Sequence, residues 1–198
     1  MSKAAATRLS ILHTAFELVY ANGYKNTSVD DILAQTQVTK GAFYYHFKNK
    51  DEMGTAMIKE VLYPGMIDSL VNPLLQSKNS TAEIFRMMKN LLQDNAFFHV
   101  KYGCPAVNLI EEMGGSHAGF RKALSGLFNE WQKAIQQSIE QGKGSGDIRK
   151  DVNAKQVALF IATGYGGIRN LGKLFGKECY TVYLKELKVY LNSLKKAH

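Results

Sequence analysis

Apolar residues return along this 198-residue chain at spacings of three and four, and no run keeps the alternation of a half-buried strand. The pattern predicts an all-α protein of about nine helices. Leu12, Ala15, Phe16 and Val19 form an i, i+3, i+4, i+7 stripe, so a first helix spans about Ala4 to Asn22 and closes at Gly23. A helix from about Lys50 continues towards Tyr63, where Pro64 and Gly65 bend or break it, and on to about Ser69. Ser80 with Glu83 is a capping-box pattern, opening a helix through Ile84, Met87, Met88, Leu91, Leu92 and Phe98 that ends near Tyr102 and Gly103. Pro105 suits the first turn of a short helix to Glu112, and a longer one follows from about His117 to Gln141. The GKGSGD run, residues 142–147, reads as the clearest flexible connection. Asn153 with Gln156 caps a helix through Val157, Phe160, Ile161 and Ile168, and the last helix runs from about Glu178 to Leu194.

The densest information lies between Thr27 and Lys50. Thr27 and Ser28 are capping residues, Asp30 and Asp31 occupy a first turn where the helix dipole favours anions, and Val29, Ile32 and Leu33 form one apolar edge. This helix stops near Thr36. Beyond Gln37 and Val38, Thr39 offers an N-cap to a second short helix, in which Phe43 and Phe47, four apart, both point inward. Lys40, Gly41, Ala42, Tyr44, Tyr45 and His46 are left for its other faces, and Asn49 with Glu52 opens the next helix. Two short helices, a tight turn and a second helix rich in donors make a helix-turn-helix.

These residues resemble the DNA-binding domain of the tetracycline-repressor (TetR) family of bacterial transcriptional regulators. The resemblance is carried by F-x6-GY-x2-T-S-V-x2-I from Phe16 to Ile32 and by V-T-K-G-A-F-Y-Y-H-F-x-N-K from Val38 to Lys50. Gln37 departs from it: a glycine often stands in this turn, and a positive φ there would strain glutamine by about 1 kcal/mol. The resemblance implies a helix-turn-helix domain over residues 1–48 and an effector-binding and dimerisation domain over 49–198, linked by the helix from about residue 50. It places Thr27, Ser28, Thr39, Lys40, Gly41, Ala42, Tyr44, Tyr45, His46 and Lys50 at DNA-contacting positions. Thr27, Tyr44, His46 and Lys50 carry groups that fix register on phosphates, whereas Lys40 and Tyr45 are suited to base edges and Ala42 to a thymine methyl. Gly41 permits close approach.

Composition adds bounds. A content of 45% hydrophobic residues supports a buried core, no apolar stretch reaches 18 residues, and the N-terminal pattern is amphipathic rather than that of a signal peptide. A cytoplasmic protein without membrane association is expected. The net charge of +8 is unevenly spread: residues 1–60 hold seven basic and six acidic groups, for +1, and residues 143–198 hold eleven and four, for +7. The excess thus lies outside the helix-turn-helix, and composition alone does not locate a DNA site. Two cysteines, Cys104 and Cys179, make neither a disulfide framework nor a metal quartet, so no metal or cofactor is expected.

For the larger C-terminal part the resemblance supplies architecture only. Met88, Phe97, Phe98, Tyr102, Met113, Phe120, Phe128, Trp131 and Tyr165 are candidate walls of a pocket for a small, partly apolar effector, with His99, Asn108 and Glu111 as polar contacts. The same side chains also build plain cores. Cys104, between Gly103 and Pro105 at a helix start, is a further candidate, because some family members with a similar Gly-Cys segment sense electrophiles or oxidants there. The small residues of 162–175, with Tyr183, Leu184, Leu187, Tyr190 and Leu191, resemble the family's helical dimer interface, and a homodimer suits a palindromic double-stranded operator. The reading is an effector-released repressor. Two other classes compete with it. An enzyme with Cys104 as nucleophile and His99 or His117 as base lacks any motif that orients the base. A helical interaction module would have lost DNA affinity altogether.

Overall fold

The computed structural model describes residues 2–75, 80–94 and 97–196. Its helices are α1 (Lys3–Asn22), α2 (Val29–Ala34), α3 (Lys40–His46), α4 (Lys50–Met57), α5 (Tyr63–Leu70), α6 (Asn72–Leu75), α7 (Ser80–Lys89), α8 (Pro105–Leu109), α9 (Ala118–Ser145), α10 (Ala154–Phe175) and α11 (Glu178–Ser193). Taking the run from α4 to α6 as one interrupted helix leaves nine, and among the described residues the only β feature is an isolated bridge between Ile148 and Lys195. The all-α expectation holds.

Contacts divide the chain into two units. Met1–Gly65 and Pro105–Gly126 form the first, and Met66–Cys104 and Leu127–His198 form the second. In the first, α1 packs against α2, α3 and α4 around Ile11, Leu12, Ile32, Phe43, Phe47, Met53 and Phe120, all buried. In the second, α11 packs on α7 and α10 around Met88, Trp131, Ile135, Ile161, Tyr165 and Tyr180.

Local chemistry sets most element boundaries. Ser2, Ser28, Thr39, Asn49 and Asn153 each accept a backbone N–H three residues on, at 2.8–3.2 Å, satisfying donors that a helix start leaves open. Between Ile58 and Leu62 the chain widens into π-type turns just before Pro64, which has no N–H to return to the carbonyl of Glu60. The helix is thereby loosened, not ended. No non-glycine residue has positive φ among those described, so Gln37 carries none of the strain expected for it.

Three expectations need correction. The GKGSGD run is not a linker: residues 142–145 are the last turn of α9, and Gly142 is buried where a Cβ would meet the Ile148 side chain at 2.7 Å. The chain reverses at Gly146, φ +86°, and the Ile148 N–H donates back to the Gly142 carbonyl at 3.0 Å. The helix begun at Ser80 does not reach Phe98. It passes through π turns over Asn90–Asp94, and a 3-10 turn covers Val100–Tyr102 before Gly103 at φ +73°. Arg169 fastens this irregular backbone: its guanidinium donates to the carbonyl of Gly103 and to that of His99, which also accepts the N–H groups of Tyr102 and Gly103 within the turn. Finally, Leu184, Leu187 and Leu191 face the chain's own core rather than a partner. The stronger apolar stripe of α11 goes inward, leaving Val182 and Val189 outside with Leu159, Phe160, Leu171, Leu174 and Phe175 of α10.

Glycine substitutions separate packing from propensity. A Cβ on Gly54 would stand 2.6 Å from the Phe120 ring and 2.7 Å from that of Tyr24, whereas one on Gly126 meets nothing within 4 Å. Alanine gains about 1 kcal/mol of helix propensity at either site, but overpacking two rings costs about 1–3 kcal/mol. Urea unfolding is therefore expected to show Gly54→Ala destabilised and Gly126→Ala stabilised; a stabilised Gly54→Ala would contradict the packing.

Candidate nucleic-acid interface

The helix-turn-helix is organised by its caps. Ser28 and Asp31 form a reciprocal capping box: Ser28 Oγ accepts the Asp31 N–H at 3.1 Å, and the Asp31 carboxylate accepts the Ser28 N–H at 2.7 Å and its hydroxyl at 2.6 Å. The hydroxyl and then the backbone hydrogen bond hold the Asp31 carboxyl below its usual range. Thr39 caps α3 through the Ala42 N–H, and Phe43 and Phe47 are buried as their spacing predicts. The reciprocal arm of the Asn49 cap is displaced by one residue, with Glu52 accepting the Lys48 N–H at 3.0 Å.

The ten DNA-contact candidates fall into two groups. On the open side of α3, Tyr45 is 79% exposed and Tyr44 49%, Gly41 faces empty space, and Lys40 reaches Asp30 of α2 at 3.1 Å. This contact with Asp30 raises the lysine's pKa, yet an exposed pair is weak and the ammonium is readily given up to another acceptor. Ala42 and His46 are half-buried, and Ser28 and Thr39 are exposed at their caps. The His46 carbonyl accepts from Arg8 at 3.2 Å; Arg8 also stacks on Phe47 and pairs with Glu60 at 2.6 Å. Thr27 and Lys50 form the second group. Thr27 is buried with its hydroxyl donated to the Gly23 carbonyl at 2.8 Å. Lys50 donates to the Tyr24 carbonyl at 2.6 Å, with its ammonium 4.3 Å from the Tyr24 ring centre, and burial lowers its pKa.

These inward contacts belong to a clasp on the turn between α1 and α2 that local sequence spacing does not reveal. Gly23 ends α1 at φ +90°, and the next two N–H groups, of Tyr24 and Lys25, donate to the two carboxylate oxygens of Glu112 at 3.1 and 3.0 Å. The Tyr24 hydroxyl donates to Asp51 at 2.7 Å, and His117 stands 3.5 Å from the other Asp51 oxygen. The Tyr24 ring meets Phe120 edge-on at 4.8 Å. Burial first, then the bond to Asp51, raises the Tyr24 phenol well above its ordinary value.

The effector candidates separate between the two units. Asn108, Glu111, Met113 and Phe120 lie in the first; Met88, Phe97, Phe98, His99, Tyr102, Cys104, Phe128, Trp131 and Tyr165 lie in the second. Of the latter, Met88, Phe98, Cys104, Trp131 and Tyr165 are buried, and the rings of Trp131 and Tyr165 pack edge-on at 5.4 Å. Sequence reading missed Arg169, which is wholly buried beside Phe98 and Tyr180. Both cysteines are free, and among the described residues no three His, Cys, Asp or Glu gather as a metal site. No helix among them is long and apolar enough to cross a membrane.

Comparison with known proteins agrees with this geometry. The family "Bacterial regulatory proteins, tetR family" matches residues 11–57, and "Tetracyclin repressor-like, C-terminal domain" matches residues 81–184. The chain is 34% identical over 133 residues to an uncharacterised HTH-type transcriptional regulator from the lacX 3′ region of Lactococcus lactis subsp. lactis, covering 67% of this chain and 68% of that one. It is 28% identical over 171 residues to the transcriptional regulator AcuR of Cereibacter sphaeroides, covering 83% and 75%. Its fold matches that of a TetR-family regulator from Cytophaga hutchinsonii with a TM-score of 0.89 at 20% identity, over 100% and 99% of the two chains.

The clasp has a pH signature. A phenol whose pKa is raised on folding contributes stability that is complete below its unfolded pKa, near 10, and is lost as pH rises through the folded value. Tyr24→Phe keeps the ring and removes the bond to Asp51, so it should cost about 1 kcal/mol at pH 7. The gap between wild type and variant should shrink as denaturation is measured above pH 10; a constant gap up to pH 11 would mean that folding does not raise the phenol's pKa.

Proposed function

We propose that this chain, which belongs to the tetR family of bacterial regulatory proteins, represses transcription as a homodimer on a palindromic operator and is released by a small-molecule effector. It is a DNA-binding transcriptional regulator and not an enzyme. Residues 1–48 serve as the DNA-binding domain and residues 49–198 as the effector-binding and dimerisation domain, in the cytoplasm. The observation that carries the interface is the open side of α3, where Lys40, Gly41, Tyr44 and Tyr45 are exposed on a capped helix anchored by Phe43 and Phe47.

Within this reading Lys40 and Tyr45 reach base edges, Ala42 meets a thymine methyl, and Gly41 admits the backbone to the groove. Tyr44 and His46, with Ser28 and Thr39 at the helix starts, hold phosphates. Thr27 and Lys50, whose polar groups are turned inward to Gly23 and Tyr24, hold no phosphate in this reading and act only by bracing the turn. The exposed apolar residues of α10 and α11, Leu159, Phe160, Leu171, Leu174, Phe175, Val182 and Val189, support a dimer face. Two recognition helices then address half-sites about one DNA turn, roughly 34 Å, apart. An effector acts only by binding the DNA-incompetent state more tightly, since equal affinity for both states shifts nothing.

Selection from a random duplex pool at two salt concentrations tests the reading. A palindrome is expected, and binding without sequence preference, or none at low salt, would overturn it. On the selected site, Lys40→Ala and Tyr45→Ala should each lose about 1–3 kcal/mol and relax preference at single positions. Unchanged affinity in both variants would remove the base-reading role. Leu174→Glu should sediment as a monomer and bind the palindrome poorly; a dimer would place the interface elsewhere.

A further inference from the structure

Arg169 is wholly buried in the second unit, and no carboxylate among the described residues pairs with it. Its Nη atoms donate only to backbone carbonyls, those of Leu91 at 3.4 Å, His99 at 3.3 Å and Gly103, while Nε has no partner. Burying a cation without an anion is costly, because carbonyl dipoles replace only part of the lost hydration. A side chain kept merely to tie down a loop would not need its Nε–H left open.

A second orphan stands beside it. The Tyr180 ring centre lies 5.6 Å from the guanidinium carbon, and the Tyr180 hydroxyl is buried with no hydrogen-bond partner. Phenylalanine would pack there as well, and the hydroxyl even demands space: a Cβ on Gly172 would collide with it. Two neighbouring buried donors, one charged, are the arrangement that recognises a carboxylate. Phe98 covers the guanidinium from another direction, and Tyr165 lies one turn earlier on α10, against Trp131. The surroundings are aromatic and apolar.

We propose that Arg169 and Tyr180 form the anion-recognising end of an effector site for an organic monocarboxylate with an apolar body. One oxygen takes Arg169 Nε, the other takes Nη2, and the Tyr180 hydroxyl donates to the same group. The single guanidinium matches a single negative charge. Nη2 then leaves the carbonyls of His99 and Gly103, freeing the segment that leads through Cys104 into Pro105. The inference rests on the effector-released reading above, and its test keeps the two apart.

Butyrate, hexanoate and benzoate are compared with their primary amides, using thermal unfolding of the free protein and anisotropy of the selected operator duplex. At least one carboxylate should raise the melting temperature and weaken operator binding about tenfold, and its amide should do neither. Arg169→Gln should lose that response while still binding the operator. Tyr180→Phe removes no hydrogen bond from the folded chain and should weaken the carboxylate about three- to tenfold, which keeps the test decisive if Arg169→Gln fails to fold. No stabilisation by any of the three acids, equal stabilisation by acid and amide, or an unchanged response in both variants would overturn the proposal. Stabilisation without operator release would uphold the anion site and overturn its role in regulation. Failure to recover an operator would remove the regulatory reading alone, since the melting shift still decides the site.

Discussion

Both ends of the Tyr24 residue are gripped by charged side chains from elsewhere in the first unit, and the placement of α2 and α3 depends on that grip. Glu112 receives the N–H, Lys50 donates to the carbonyl, and Asp51 takes the phenol. A turn leaving a helix exposes backbone polar groups that must find partners once buried, and water is the usual answer at a surface. Here a carboxylate binds two successive N–H groups at once. The turn thus has one geometry, and Thr27 and Ser28 follow it directly into the cap of α2. The order of the recognition surface derives from a contact that does not lie on that surface.

Such long-range contacts mark the limit of what the sequence discloses. The caps at Ser28, Thr39, Asn49 and Asn153 were legible because their partners lie three residues away, and Phe43 and Phe47 because helical spacing puts them on one side. The Glu112 clasp joins positions 88 and 87 residues apart, and no local pattern announces it. Arg169 read as one more basic residue in a basic segment, since burial of a charge depends on packing rather than on spacing. Gly142 read as part of a flexible connection because a glycine that makes room for Ile148 and one that gives freedom to a loop look the same in a sequence. The inward stripe of α11 was visible as apolar, but which face it serves was not.

Charge and apolar surface act in opposite directions on the proposed assembly. Helices α10 and α11 hold five basic and two acidic residues, a net +3, so two copies meeting through them would bring like charges together while they cover Leu174, Phe175 and Val189. Added salt screens that repulsion and leaves apolar burial intact. The same salt weakens every phosphate contact made by the helix-turn-helix. Dimer strength and operator strength therefore respond to ionic conditions with opposite sign.

The exposed pair between Lys40 and Asp30 gives the protein its own counterion at the position assigned to base reading. A free lysine entering the groove displaces condensed cations from DNA and gains from their dilution into bulk solvent. In the proposed complex Lys40 would instead exchange an aspartate for its target, leaving the aspartate to face the phosphate field. In that proposal the pair orients the ammonium before it meets a base, and counterion release contributes less than for an unpaired lysine. With only +1 over the first 60 residues, the proposed interface would bring little general attraction for random sequence.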